Sequence, residues 1–184
     1  MTSIDIPGYR PGTYILDPAH SEVTFSVRHM MISKVRGAFG VKSATLVAPE
    51  NPLETTVTAS VDVTSVDTKD EGRDAHLRSA DFFDVENFPT MDFVSTGARV
   101  DGGDFYVDGD LTIRGITKPV SFELEFGGFG SDPWGNYKAG ASAKTVINRE
   151  DFGLTWNAAL ETGGVLVGKD VTISLDLQGA LQQD

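Results

Sequence analysis

The stretch Phe105–Phe126, FYVDGDLTIRGITKPVSFELEF, decides the fold. Phe105, Val107, Leu111 and Ile113 share one phase of an alternating pattern, while Tyr106, Asp108, Asp110, Thr112 and Arg114 take the other. After a break at Gly115–Pro119, Val120, Phe122, Leu124 and Phe126 alternate with Ser121, Glu123 and Glu125. Period-two patterning on both arms predicts a hairpin with one dry face and one wet face. A nine-residue arm spans ~30 Å at ~3.3 Å per residue, longer than most strands. Long sequential amphipathic strands suit a sheet curled into a barrel with room inside.

The flanking segments repeat this pattern. Tyr14–Leu16 opens a first strand, and Glu22–Arg28 points Val23, Phe25 and Val27 one way. Lys34–Val47 reads as a strand with bends at Gly37 and Gly40; Pro49–Pro52 is a turn and Thr55–Val63 alternates again. Met91–Val100, Lys138–Asn148 and Val165–Leu177 supply further strands, and Asp132–Gly135 a turn. The exception is Lys69–Phe83, charged and rich in helix formers, which predicts a short helical insertion around Asp70–Phe83. The expected fold is all-β: an antiparallel extended barrel of about eight strands, lipocalin-like, over residues 14–184, after a flexible segment 1–13.

Composition narrows the function. The 184 residues carry a formal net charge of −12, which opposes binding to nucleic acid and electrostatic docking on anionic lipid surfaces. There is no cysteine, hence no disulfide, thiol chemistry or thiolate metal site. No run approaches the ~18 apolar residues of a membrane span, so no integral membrane segment is expected. The start, MTSIDIPGYRPGTY, lacks the basic and apolar regions of a secretion signal, and the expected location is cytoplasmic.

Chemistry-bearing motifs are sparse. His20, His29 and His76 have no HxH or HExxH spacing, so neither a metal nor a cofactor is expected. His76 with Asp74 and Glu71 reads as a solvated helix face, and His20 as a turn histidine satisfying nearby backbone. The GGFG at Gly127–Gly130 is outside any phosphate-binding context and reads as a flexible turn. Among inner positions, Ala59, Gly109, Gly140, Ala141 and Ala143 are small, and either interdigitate with bulky partners or leave an apolar tunnel. Met30 and Met31 read as plain core or as adaptable side chains at a mouth.

Several longer motifs carry a resemblance. DPAHSEVTFSVRHM at Asp17–Met30, RDAHLRSADFFDVENFPTMDF at Arg73–Phe93, GDLTIRGITKPV at Gly109–Val120, INREDFGLTW at Ile147–Trp156 and GKDVTISLDLQGAL at Gly168–Leu181 resemble the YceI-like family of lipid-binding bacterial proteins. The resemblance runs from about Tyr14 to the end, with the motifs in order. It implies an extended barrel holding a long polyisoprenoid or similar amphiphile. Many relatives carry secretion signals, from which this chain departs.

Together these readings predict a non-enzymatic protein that carries or sequesters a polyisoprenoid-type lipid, such as a quinone or prenyl precursor. The expected lining is Phe25, Val27, Phe39, Val61, Phe93, Leu111, Phe122, Leu124, Phe126, Ala141, Trp156, Val165 and Leu175, with Arg28, His29 and Lys169 at a polar mouth. Two alternatives stand beside it. One is an enzyme acting on a bound amphiphile with His20 or His29 as acid or base. The other is a ligand-free module that pairs through sheet edges or an exposed apolar patch. A homodimer is compatible with the sequence.

Overall fold

The structure is a computed structural model that describes residues 5–158, 160 and 164–183. Its strands are β1 (Gly12–Leu16), β2 (Glu22–His29), β3 (Ser33–Ala48), β4 (Thr56–Asp67), β5 (Thr90–Asp101), β6 (Asp104–Ile113), β7 (Ile116–Ser131), β8 (Tyr137–Asn148) and β9 (Val167–Leu181). All pair antiparallel. The ladder runs β3-β2-β9-β8-β7-β6-β5-β4 and closes on itself through β3–β4. β1 pairs with Ala48–Thr45 of β3 and Gly179–Leu181 of β9, while β2 pairs with Ser33–Phe39 of β3 and Val167–Asp176 of β9. β1 and β2 therefore share one place in the wall, split by the 3-10 turn Pro18–His20, so nine strands make an eight-position barrel. Closure pairs every strand on both sides over part of its length, which is how long amphipathic strands limit pairing with strangers.

The decisive hairpin forms as expected, with Phe105, Val107, Leu111 and Ile113 buried in the core phase. Its turn is tighter than the sequence suggested. Only Arg114 and Gly115 lie outside the strands, both with positive φ (51° and 73°), and Ile116–Pro119 pair with β6. A two-residue turn with both φ values positive has the twist that hairpin strands need. Pro119 is tolerated because β7 pairs with β8 only from Glu123 onward, leaving that stretch with a neighbour on one side.

Gly127–Gly130 is not a turn. It lies inside β7, where the register against β8 shifts between Phe126 and Gly128, and Gly128 has φ 134°. A bulge adds one residue and reverses the phase, so Phe126 and Phe129 both face inward. β4 does the same more strongly. Its register against β3 jumps between Ala38 and Gly40, and Val63 and Val66 are both buried.

The helical insertion is α1 (Glu71–Arg78), shorter than the expected 70–83. Asp70 caps it by accepting the Arg73 N–H, and Ser79 ends it; Phe82 and Phe83 follow in turns. α1 and the segments 79–89 and 149–158 lie over one end of the barrel, the α1 end. Segment 5–11 lies over the other. Residues Gly8–Arg10, expected to be flexible, are fastened: the Tyr9 hydroxyl donates to Pro49 O (2.6 Å), the Tyr137 hydroxyl to Gly8 O, and Arg10 stacks on the Tyr137 ring.

Candidate functional site

Inward-facing residues of all the strands enclose a cavity of about 700 Å³ that runs through the barrel. Its size is that of a site for a drug-sized or larger ligand. The middle is walled by Val41, Ala59, Val61, Phe93, Phe122, Leu124, Ala141, Ala143, Ile173 and Leu175, and the far end by Tyr9, Tyr14, Phe129 and Pro52. Aromatic pairs line this passage, with Phe25–Phe39 at 5.3 Å, edge-on Phe93–Phe122 at 5.3 Å and Phe105–Phe126 at 5.5 Å. Such rings give broad apolar contact at low conformational cost.

Small residues keep the passage open. Ala59, Gly140, Ala141 and Ala143 all face it. Gly109 does not: the Phe93 ring lies where its side chain would stand, so this glycine seats a wall aromatic instead of widening the space. Gly37 seats Phe25 in the same way.

Polar groups gather at the α1 end. Arg28 and His29 of β2 face Asp70, Gly72, Arg73 and His76 of the α1 segment, and Arg149 lies deeper. Among the described lining residues, only Arg28, Asp70 and Gly72 are exposed, which places the mouth between β2 and α1. His76 is only partly solvated, its side chain 37% exposed. Its ring stands edge-on to Trp156 (4.6 Å) and Phe82 (5.1 Å), and its Nε2 meets Asp81 Oδ2 at 2.9 Å. Asp74, grouped with it by sequence, is buried and accepts the Thr68 N–H at 2.9 Å. No cluster of three metal-ligating side chains occurs among the described residues.

Four arginines hold the mouth by donating to backbone carbonyls. Arg73 binds Thr68 O (2.8 Å), Arg78 binds Thr64 O (3.0 Å), and Arg114 bridges Gly153 O and Ala80 O (both 2.9 Å). Arg149, 3% exposed, donates to Gly168 O, Leu154 O, Trp156 O and Val167 O, tying the 149–158 segment to β9. Among the described residues it has no carboxylate partner, and burial lowers its pKa from the ordinary arginine value. These arginines lie in the motifs that carry the resemblance, and their work is architectural: carbonyls of the loops and strand ends at the mouth are satisfied by guanidinium forks.

Of the residues expected to line the site, Phe25, Val27, Arg28, His29, Phe39, Val61, Phe93, Leu111, Phe122, Leu124, Phe126, Ala141, Trp156 and Leu175 surround the cavity. Val165 and Lys169 do not. β9 begins at Val167, so Val165 lies in the preceding loop and is 36% exposed; Lys169 points out to Glu150 (3.5 Å). His20 is also remote from the lining, exposed and held by Asp17 (2.7 Å). Tyr9, Tyr14, Arg73, His76, Phe129 and Arg149 were missed. Phe129 was legible only through the bulge, and the arginines only through the loops they bind.

Comparison with known proteins shows what the chain resembles. The YceI-like domain model matches residues 14–179. A UPF0312 protein of Staphylococcus aureus (strain MSSA476) is 37% identical over 172 residues, covering 92% of this chain and 98% of its own. The YceI protein of Campylobacter jejuni superposes with a TM-score of 0.67 at 27% identity, over 85% of this chain and 90% of that one. BcnA of Burkholderia cenocepacia shares the fold with a TM-score of 0.76 at 24% identity, over 89% and 98%. A polyisoprenoid-binding domain from Saccharophagus degradans does so with a TM-score of 0.68 at 15% identity, over 94% and 100%. With the family model spanning residues 14–179 and a relative 37% identical over 92% of its length, the chain belongs to the YceI-like family.

Proposed function

We propose that this protein binds a long-chain amphiphilic lipid of the polyisoprenoid type and carries or sequesters it, without chemical turnover. The observation that supports this most is the cavity itself, about 700 Å³, apolar along its length, with charged groups only toward one end. That polarity matches a ligand with a long hydrocarbon tail and a single polar head. The fold shared with the Saccharophagus degradans polyisoprenoid-binding domain agrees with it.

Affinity comes from the tail. Each buried methylene contributes ~0.8 kcal/mol, so a five-carbon prenyl unit gives roughly 3–4 kcal/mol, and several units offset the ordering cost of association. A bilayer gives the same tail similar burial, so extraction is near neutral and exchange between protein and membrane is thermodynamically open in both directions. The head rests at the mouth among Arg28, His29, Arg73 and His76. The site needs no cofactor or metal for this task. A quinone or a prenyl precursor satisfies the same shape.

Native mass spectrometry and solvent extraction of protein purified from its own host test the reading directly, and a lipid of this class is the expected finding. Ala141→Phe fills the passage opposite Leu177 and Phe126. It is expected to cut uptake of an apolar fluorescent probe at least tenfold with the fold retained. Lipid-free protein whose variant binds probe as well as wild type would refute an internal site.

A further inference from the structure

We propose that the β2–β3 hairpin is a docking finger that seats the cavity mouth on an anionic bilayer, a proposal that rests on the lipid-carrier reading. Pairing of β3 with β4 stops at Ala38–Asp67, whereas β2 and β3 continue together to His29–Ser33. On that side the hairpin projects past the end of its neighbour. Its tip is Met30, Met31 and Ile32, which are 44%, 53% and 80% exposed. Arg28, Lys34 and Arg36, all exposed, flank the tip, and the sole acid of β2 and β3 is Glu22 at the far end.

Three features point to a membrane. The first is charge: a cationic hairpin on a chain of net −12 gives local attraction to anionic headgroups, while acids farther away are screened beyond a Debye length of ~8–10 Å. Acids stand near its base, Asp67 of β4 paired with Ala38, and Asp70 and Glu71 on the α1 segment, so the attraction is confined to the projecting part of the hairpin. The second is the tip chemistry. Met30 and Met31 both have positive φ (54° and 63°), positions where Asn-Gly makes the better turn. Methionines there sacrifice turn preference and present two long, adaptable apolar side chains to solvent. The third is position: Arg28 belongs both to this hairpin and to the cavity lining, so whatever the tip touches lies beside the opening. A tail leaving the bilayer there enters the barrel with little exposure to water.

The test is flotation with phosphatidylcholine vesicles, with and without phosphatidylglycerol, alongside uptake of N-phenylnaphthylamine in vesicle-free buffer. Wild type is expected to float with the anionic vesicles and to be released by high salt. Met30→Asn with Met31→Gly keeps the turn and removes the apolar tip, and Lys34→Glu with Arg36→Glu reverses the flanks. Each pair is expected to lower vesicle partitioning about tenfold, the equivalent of one moderately buried apolar side chain or two surface charges, with probe uptake unchanged. Probe uptake by wild type without vesicle binding, or undiminished flotation of both variants, overturns the proposal. So does a wild-type dimer that the Asn-Gly variant dissociates, since a second copy then covers the tip. Absence of probe uptake in wild type removes the carrier reading itself, and the docking role with it.

Discussion

Arg149 shows how much of the mouth rests on single side chains. A buried guanidinium donates to four carbonyls, Leu154 and Trp156 of the 149–158 segment and Val167 and Gly168 at the start of β9. Arg149→Leu removes the donor from the Leu154, Trp156 and Gly168 carbonyls, while Val167 O keeps the Asn157 amide; at ~1–3 kcal/mol per unpaired acceptor, partly relieved by water, a loss of about 3 kcal/mol is expected by denaturant unfolding. Arg149→Lys retains the charge and loses the fork, and is expected to recover less than half of the loss. Little of this was visible beforehand. A charged residue in INREDFG reads as surface by composition, because burial of an arginine depends on carbonyls supplied by residues up to 19 positions away.

At the scale of elements, the bulge of β7 decides what the far end of the cavity contains. Deleting Gly128 restores a uniform register and turns Phe129 outward, away from Tyr9, Tyr14 and Phe126. The expected result is loss of several kcal/mol, as for a large core truncation, and weaker probe binding, both measurable against Gly130→Ala as an in-strand control. The β7–β8 turn carries an acid-sensitive contact. The Asn136 backbone N–H donates to Asp132, and the Asn136 side chain and Trp134 N–H add to it, holding the carboxyl below its usual pKa. Asp108 is likewise lowered by Arg99 and Ser121, and Asp17 by His20. Groups with folded pKa values below the unfolded ones contribute stability above the unfolded value, about 4, and lose it as pH falls through the folded value. The melting temperature is therefore expected to hold steady at neutral pH and drop below about pH 4. Asp132→Asn should flatten part of that acid limb.

For the whole molecule, the barrel behaves as a container whose capacity is set by its length. Affinity for a series of straight-chain alcohols or prenols is expected to rise about fourfold per methylene, from ~0.8 kcal/mol each, and to level off once the cavity is full. Calorimetry across the series gives the break point, and protein melting temperature should climb in parallel because ligand binds only the folded state. A flat response from the shortest chain onward would contradict tail-dominated binding.

The sequence alone determined the strands and their inward phases, because alternation is a local property that each strand displays by itself. Phe105–Ile113 and Val120–Phe126 pointed to a barrel, and read along all the strands the same alternation and motifs name fourteen of the sixteen expected site positions among the residues that surround the cavity. Val165 and Lys169 strayed because a strand end is set by its partner, and Phe129 was hidden because a bulge exists only relative to a neighbouring strand. Which end opens was decided by tertiary structure alone: α1, the 149–158 segment and the β2–β3 hairpin meet there by closure of the sheet, while Gly8–Arg10 fold over the opposite end. Mouth and floor are assembled from segments far apart in the chain, and no periodicity within any one of them records that meeting.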